Sequence, residues 1–163
     1  MKTRVSTSTL IKKGYPRGLV FDKIKRLQDH PKFMPDVRSV QILEQGRDTG
    51  ASEWDVDIDG CPLNWKERDT FDHDNFVFEF RTIEGDFEMF DGRWEVLDAP
   101  DGVRVVFTVE YLVGIPVIED IIGPILKAKI EKNTQKMLDS LRDEVENTDV
   151  EGIEAAAEIA ASM

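Results

Sequence analysis

After residue 113 the apolar period of this chain changes from two residues to about 3.6. Before that point short runs alternate. Residues 51–59 set Trp54, Val56 and Ile58 against Glu53, Asp55, Asp57 and Asp59, and residues 103–113 put Val103, Val105, Phe107, Val109 and Tyr111 on one face. Further strands are predicted over 3–13, 38–45, 63–71, 76–83 and 87–97. Gly60-Cys61-Pro62, Asp72-His73-Asp74-Asn75 and Asp98-Ala99-Pro100-Asp101-Gly102 read as turns between them. Seven strands joined mostly by tight turns imply an antiparallel meander.

Gly14-Tyr15-Pro16 ends the first strand, and Leu19, Val20, Ile24 and Leu27 give a short helix entered through Pro16. A second helical turn is predicted from His30 to Met34. Past Gly114-Ile115-Pro116, Ile118, Ile122, Ile125, Asn133, Met137, Leu141 and Val145 fall near one face of a long helix. Ile121, Leu126, Ile130 and Leu138 flank that face, and Gly123-Pro124 should kink or restart the helix. The fold class that follows is α+β: a seven-stranded antiparallel sheet around a long C-terminal helix, with two short helices after the first strand. Residues 1–146 form one domain. The alanine-rich, acidic residues 147–163 are expected to be a solvated or loosely docked tail, with a weak helix around 150–161.

The formal charge is -12, from 21 basic and 33 acidic residues. Such a surface repels phosphate backbones and anionic headgroups, so neither nucleic acid nor a membrane surface is expected as partner. A lone Cys61 excludes an internal disulfide, and His30 and His73 are too far apart in sequence for metal-ligand spacing. No metal or cofactor is implied. The chain lacks both a signal-peptide core and a run of the ~20 apolar residues that span a membrane, so a reducing cytoplasm is the expected location.

Residues Gly85 to Val96 carry Phe90, Gly92 and Trp94 at alternate positions, and these share one face of a strand. Glycine between two aromatics leaves either a close backbone approach or a concavity floored by rings. The order of elements, with His30-Pro31-Lys32-Phe33-Met34-Pro35, Val40-Gln41-Ile42-Leu43-Glu44, Trp65-Lys66-Glu67-Arg68 and Gly85-Asp86-Phe87 running into Phe90-Asp91-Gly92-Arg93-Trp94, is that of a helix-grip fold. Over residues 4–146 the chain resembles the polyketide cyclase/aromatase branch of the START-like (Bet v 1-like, SRPBCC) superfamily, and also its coenzyme Q-binding relatives.

That resemblance implies a cavity between sheet and helix for a hydrophobic ligand: a polyketide, a quinone or a lipid. It implies an arginine there that polarises or positions a poly-β-ketone chain, a place that Arg68 matches, with Arg81 matching a second family arginine. Other pocket positions differ: Val37 stands where cyclases typically carry tyrosine, Met137 where they carry a polar amide, and Pro62 and Asn64 where they carry tryptophans. Cyclisation or dehydration of a ketide-like substrate is one expected function, and non-catalytic carriage of a lipid or quinone is the other. A homodimer or an acyl-carrier protein contact is left open.

Arg68 and Tyr111 are the catalytic candidates: a guanidinium keeps its charge and fixed donors, and a phenol can pass a proton. Strand parity bears on the first. Asn64, Lys66, Arg68 and Thr70 share one face and Leu63, Trp65 and Phe71 the other, so an inward Arg68 requires a bulge within 63–71 or a polar-lined cavity. Pairing with Glu53, Glu67 or Glu79 is the alternative. Arg81, Phe90, Gly92, Trp94, Phe33, Trp65, Asn133 and Met137 are the ligand-binding candidates. Asn133 is the one amide on the apolar stripe of the helix, and a buried amide needs partners.

Overall fold

A computed structural model describes residues 2–148. The chain runs β1 (Thr3–Lys12), α1 (Arg17–Lys25), a 3-10 turn (Leu27–Asp29) and α2 (His30–Phe33). It continues with β2 (Val37–Gln45), β3 (Thr49–Ile58), β4 (Cys61–Asp72), β5 (Val77–Gly85), β6 (Met89–Ala99), β7 (Gly102–Leu112) and α3 (Pro116–Glu146). All strand pairs are antiparallel, in the order β1-β7-β6-β5-β4-β3-β2. The first strand therefore closes on the last, and β2 to β7 form the expected meander. This is the α+β helix-grip arrangement. The tail expected over 147–163 lies, from residue 149 on, outside the described residues.

The alternation of the strands gives the sheet one apolar face. Val103, Val105, Phe107, Val109 and Tyr111 of β7 are all buried, while Arg104 between them is exposed. Over that face lies α3, packed chiefly on β1, with further contacts to β3, β7 and α2. Gln135 Nε2 donates to the Ser8 carbonyl at 2.9 Å and the Tyr15 hydroxyl to the Glu146 carbonyl at 2.9 Å, which pins the helix across the first strand.

Three local expectations are corrected. The β3–β4 turn is Asp59-Gly60, not Gly60-Cys61-Pro62: both turn residues have positive φ (53° and 85°), and Cys61 already pairs with Ile58. An Asp-Gly pair suits such a two-residue turn because glycine meets no steric cost there. Second, α3 does not restart at Gly123-Pro124 but continues through it as one helix. Pro124 sits on an exposed turn, where water can take up the carbonyl it leaves without a donor. Third, the buried stripe of α3 is Ile130, Thr134, Leu138, Leu141 and Val145. Ile118, Ile121, Ile122 and Ile125 are exposed, and Asn133 and Met137 flank the stripe at intermediate burial.

The sheet loosens on one side of the helix. The β5–β6 pairing runs from Val77 only to Phe80, opposite Gly92. Beyond it Thr82 takes over: its N–H donates to Asp91 Oδ1 at 2.9 Å, its hydroxyl to the Phe90 carbonyl at 2.6 Å, and Phe90 N–H donates back at 2.7 Å. Side chains thus satisfy the backbone where the strands part.

Candidate functional site

Between the inner face of the sheet and α3 lies a cavity of about 60 Å³. Each wall follows from strand parity. From β3 come Trp54, Val56 and Ile58, from β4 Trp65 and Glu67, from β5 Phe78 and Phe80, from β6 Phe90 and Trp94, and from β7 Phe107. Ile130, Asn133, Thr134, Lys136 and Met137 of α3 close one side, and Met34 to Val37 close the mouth.

The rings pack on one another as well as on the space. Trp54 and Trp65 face each other across β3–β4 and stack with centroids 6.0 Å apart. Phe90 lies 4.9 Å from Trp65, and Trp94 meets Phe107 edge-on at 5.0 Å. Such pairs add stability beyond their buried area and hold the walls rigid. His30, fully buried, sits behind them, 5.4 Å from Trp54 and 6.0 Å from Trp94.

The polar groups fall into two sets. At the mouth Asn133 Nδ2 donates to Asp36 Oδ2 at 2.7 Å, and Lys136 Nζ lies 3.3 Å from Asp36 Oδ1. Deep in the wall Trp65 Nε1 donates to Glu67 Oε1 at 2.7 Å. One residue pair along, Trp54 Nε1 donates to Ser52 Oγ at 2.9 Å, and the Ser52 hydroxyl donates to Asp69 Oδ2 at 2.6 Å. Glu67 and Asp69 are each 1% exposed. Burial pushes the Glu67 carboxyl well above the usual range, and the Asp69 carboxyl beside it pushes further the same way. Asp69 is also raised by burial, against the pull of its contacts with Glu67 and Ser52.

Of the candidates named from sequence, Trp65, Phe90, Trp94, Asn133 and Met137 line this cavity. Gly92 belongs to the wall in another way than a gap: a Cβ there would lie 2.2 Å from Phe80 Cζ, so the Phe80 ring covers the glycine. Phe33 packs beside His30, with centroids 5.8 Å apart, and is not among the lining residues. Tyr111 is buried past Phe90, against Phe87, and does not line the cavity either. Its burial raises the phenol, which makes it a weaker acid for proton transfer.

Neither arginine reaches the cavity. Arg68 pairs with Glu44 Oε2 at 2.5 Å on the outer face, its side chain 50% exposed. Exposed Arg81 stands opposite it across β4–β5. The parity of β4 decides this. The bulge between β4 and β5 places Lys66 opposite Glu84 and Glu67 opposite Thr82, so the extra residue, Ile83, belongs to β5 and the alternation of β4 continues unbroken. The same parity carries Glu67 and Asp69 inward, a pair that a search for cationic ligand contacts passes over. Because an exposed pair contributes about 0–1 kcal/mol, Arg68→Ala should leave the unfolding midpoint and ligand binding close to wild type. Urea unfolding and fluorescence titration of that variant check both.

Among the described residues no cluster of three His, Cys, Asp or Glu is placed to hold a metal, and no helix is long and apolar enough to cross a membrane. Comparison with known proteins agrees with the geometry. The profile of the family described as polyketide cyclase / dehydrase and lipid transport matches residues 14–138. A putative polyketide cyclase of Streptomyces cyaneus is 25% identical over 134 residues, spanning 80% of this chain and 87% of that protein. Among solved structures, the Zhui aromatase/cyclase of Streptomyces sp. R1128 superposes with a TM-score of 0.80 at 20% identity, covering 90% of this chain and 94% of that one. A START superfamily protein of Mycobacterium smegmatis gives 0.72 at 16% identity, covering 88% and 97%. With a family match over most of its length and that family's fold, the chain belongs to the polyketide cyclase/dehydrase and lipid transport family.

Proposed function

We propose that this protein binds a flat, largely apolar, ketide-like molecule between its sheet and α3, and promotes its cyclisation or dehydration by holding one folded shape. The observation that carries this reading is the wall of stacked rings around an otherwise nearly apolar space. Orientation alone supplies much of the rate in reactions that bring two parts of one flexible chain together. Arg68 has no part in it. A space of about 60 Å³ holds only a few waters, so a ring system is seated when the walls part. Met34 and Met137, unbranched and adaptable, are the wall residues best suited to give way.

All three tryptophans of the chain line the cavity, so intrinsic fluorescence reads its occupancy directly. Saturable quenching by a flat aromatic such as 2-naphthol is the expected result. No quenching at any concentration would sink the binding reading.

The outward placement of both arginines favours a second reading, carriage of a quinone or lipid without chemistry. Apolar burial at roughly 25 cal/mol per Å² supplies affinity without any acid or base. Incubation with a linear poly-β-ketone separates the two. Accelerated ring closure supports the enzyme; binding without turnover, together with a lipid or quinone seen in native mass spectra of the purified protein, supports the carrier.

A further inference from the structure

Glu67 is the acidic residue set into the ring-lined wall of the cavity, and it is incompletely partnered. Its Oε1 accepts from Trp65 Nε1 at 2.7 Å, but Oε2 is buried and receives no N–H or O–H donor. Asp69 shows the same imbalance: Oδ2 accepts from Ser52 and Oδ1 from nothing. Native proteins satisfy nearly all buried polar atoms, so two orphans on adjacent inward positions of one strand call for an account. Part of it is internal. The two carboxyls act on each other, and burial raises both. Glu67, unlike Asp69, is also a lining residue of the cavity.

We propose that Glu67 is the polar anchor of the cavity and selects flat, apolar ligands that carry a hydroxyl group, a phenol or an enol. The inference rests on the binding role proposed above and names the class of ligand. Four ligand groups can be compared at Oε2. A hydrocarbon leaves the oxygen unpaired, and a carboxylate can only accept and must bury its own charge beside two carboxyls. A carbonyl can only accept, so it pairs with Glu67 only when Glu67 carries a proton. A hydroxyl both donates and accepts, so it pairs with Glu67 whether or not the carboxyl carries a proton. The rings of Trp54, Trp65 and Phe90 beside it suit the flat body of such a ligand.

The test uses three probes of one shape: 2-naphthol, 2-methylnaphthalene and 2-naphthoate, titrated calorimetrically into the wild-type protein at one pH. The expected order is 2-naphthol tightest, by about tenfold or more over 2-methylnaphthalene, with 2-naphthoate weakest. Glu67→Gln, whose amide also accepts and donates, should keep the preference for 2-naphthol. Glu67→Leu should erase or reverse it. Equal wild-type affinity for 2-naphthol and 2-methylnaphthalene overturns the anchor while leaving the aromatic cavity in place, as does a preference that survives in Glu67→Leu. Binding of none of the three overturns the cavity reading and the anchor together. Since the wild-type comparison decides by itself, a Glu67→Leu chain that fails to fold does not shelter the proposal.

Discussion

Lowering the pH from 6.5 to 4 should cost the wild-type fold about 3 kcal/mol through His30 alone, a loss that a His30→Gln variant escapes. His30 is fully buried among Trp54, Trp94 and Phe33, at the back of the cavity. Its Nε2 lies 2.7 Å from the Ile24 carbonyl, which can only accept, so the ring is neutral with its proton on Nε2. Nδ1 is buried with no partner, so a second proton there would find neither acceptor nor water. Burial accordingly depresses this histidine from 6.5 to about 4. Between those values the unfolded chain binds more protons than the folded one. The stability is fully present above pH 6.5 and drains away as the pH falls to 4. Glu67 pulls the other way: its raised carboxyl makes stability fall as the pH climbs above the ordinary carboxylate range. That contribution is common to both proteins and cancels in their difference. Urea unfolding of wild type and His30→Gln at pH 7 and pH 4 provides the measurement. Parallel losses in the two would mean that His30 is not the acid-sensitive group. Since His30 backs Trp54 and Trp94, the fluorescence of the cavity should respond only as the pH nears 4, where the folded-state imidazole takes up its proton.

The fold was legible because it follows from periods. Alternation marked the seven strands, and the single switch near Gly114 marked the helix that they enclose. Turn placement was less legible. Gly60-Cys61-Pro62 looks like a turn by composition, yet Asp59 supplies the second positive φ, and proline is tolerated at the start of β4. Period also says where an apolar stripe runs, not whether anything covers it. The isoleucines of the first turns of α3 continue the helical pattern and are exposed nonetheless, because burial on that helix begins only at Ile130.

For the site, parity was the reliable signal and resemblance the misleading one. Alternation through residues 63–71 already sets Glu67 and Asp69 on the face of Leu63, Trp65 and Phe71. The family's arginine drew Arg68 inward instead, and the structure follows the alternation. His30, beside turn formers and far in sequence from His73, gave no local sign of its burial. Phe33 lies beside it on α2, but only the assembled sheet adds Trp54 and Trp94 around it.

Gly92→Ala tests the wall of the cavity most directly, and it should destabilise the protein by about 1–2 kcal/mol while weakening aromatic binding tenfold or more. Gly92 pairs with Phe80 across β5–β6, and a methyl group there would lie 2.2 Å from Phe80 Cζ and 2.6 Å from Cε1. Alanine is ordinarily preferred to glycine within a strand by roughly 0.5–1 kcal/mol, so without the ring the change would stabilise. Overpacking a closed core costs about 1–3 kcal/mol, and that decides the sign. Phe80 is 4% exposed and held between Phe107, 6.0 Å away, and Phe90, 6.2 Å away. The ring's free direction is therefore into the cavity, which it also lines, and a space of about 60 Å³ has little to spare. The double variant Gly92→Ala/Phe80→Leu removes the ring edge that meets the methyl group. It should recover part of the lost stability, with a coupling of about 0.5–3 kcal/mol between the two sites. A single variant as stable as wild type, with undiminished 2-naphthol binding, would show that the Phe80 ring is free to move, and the rigid aromatic wall would have to be given up.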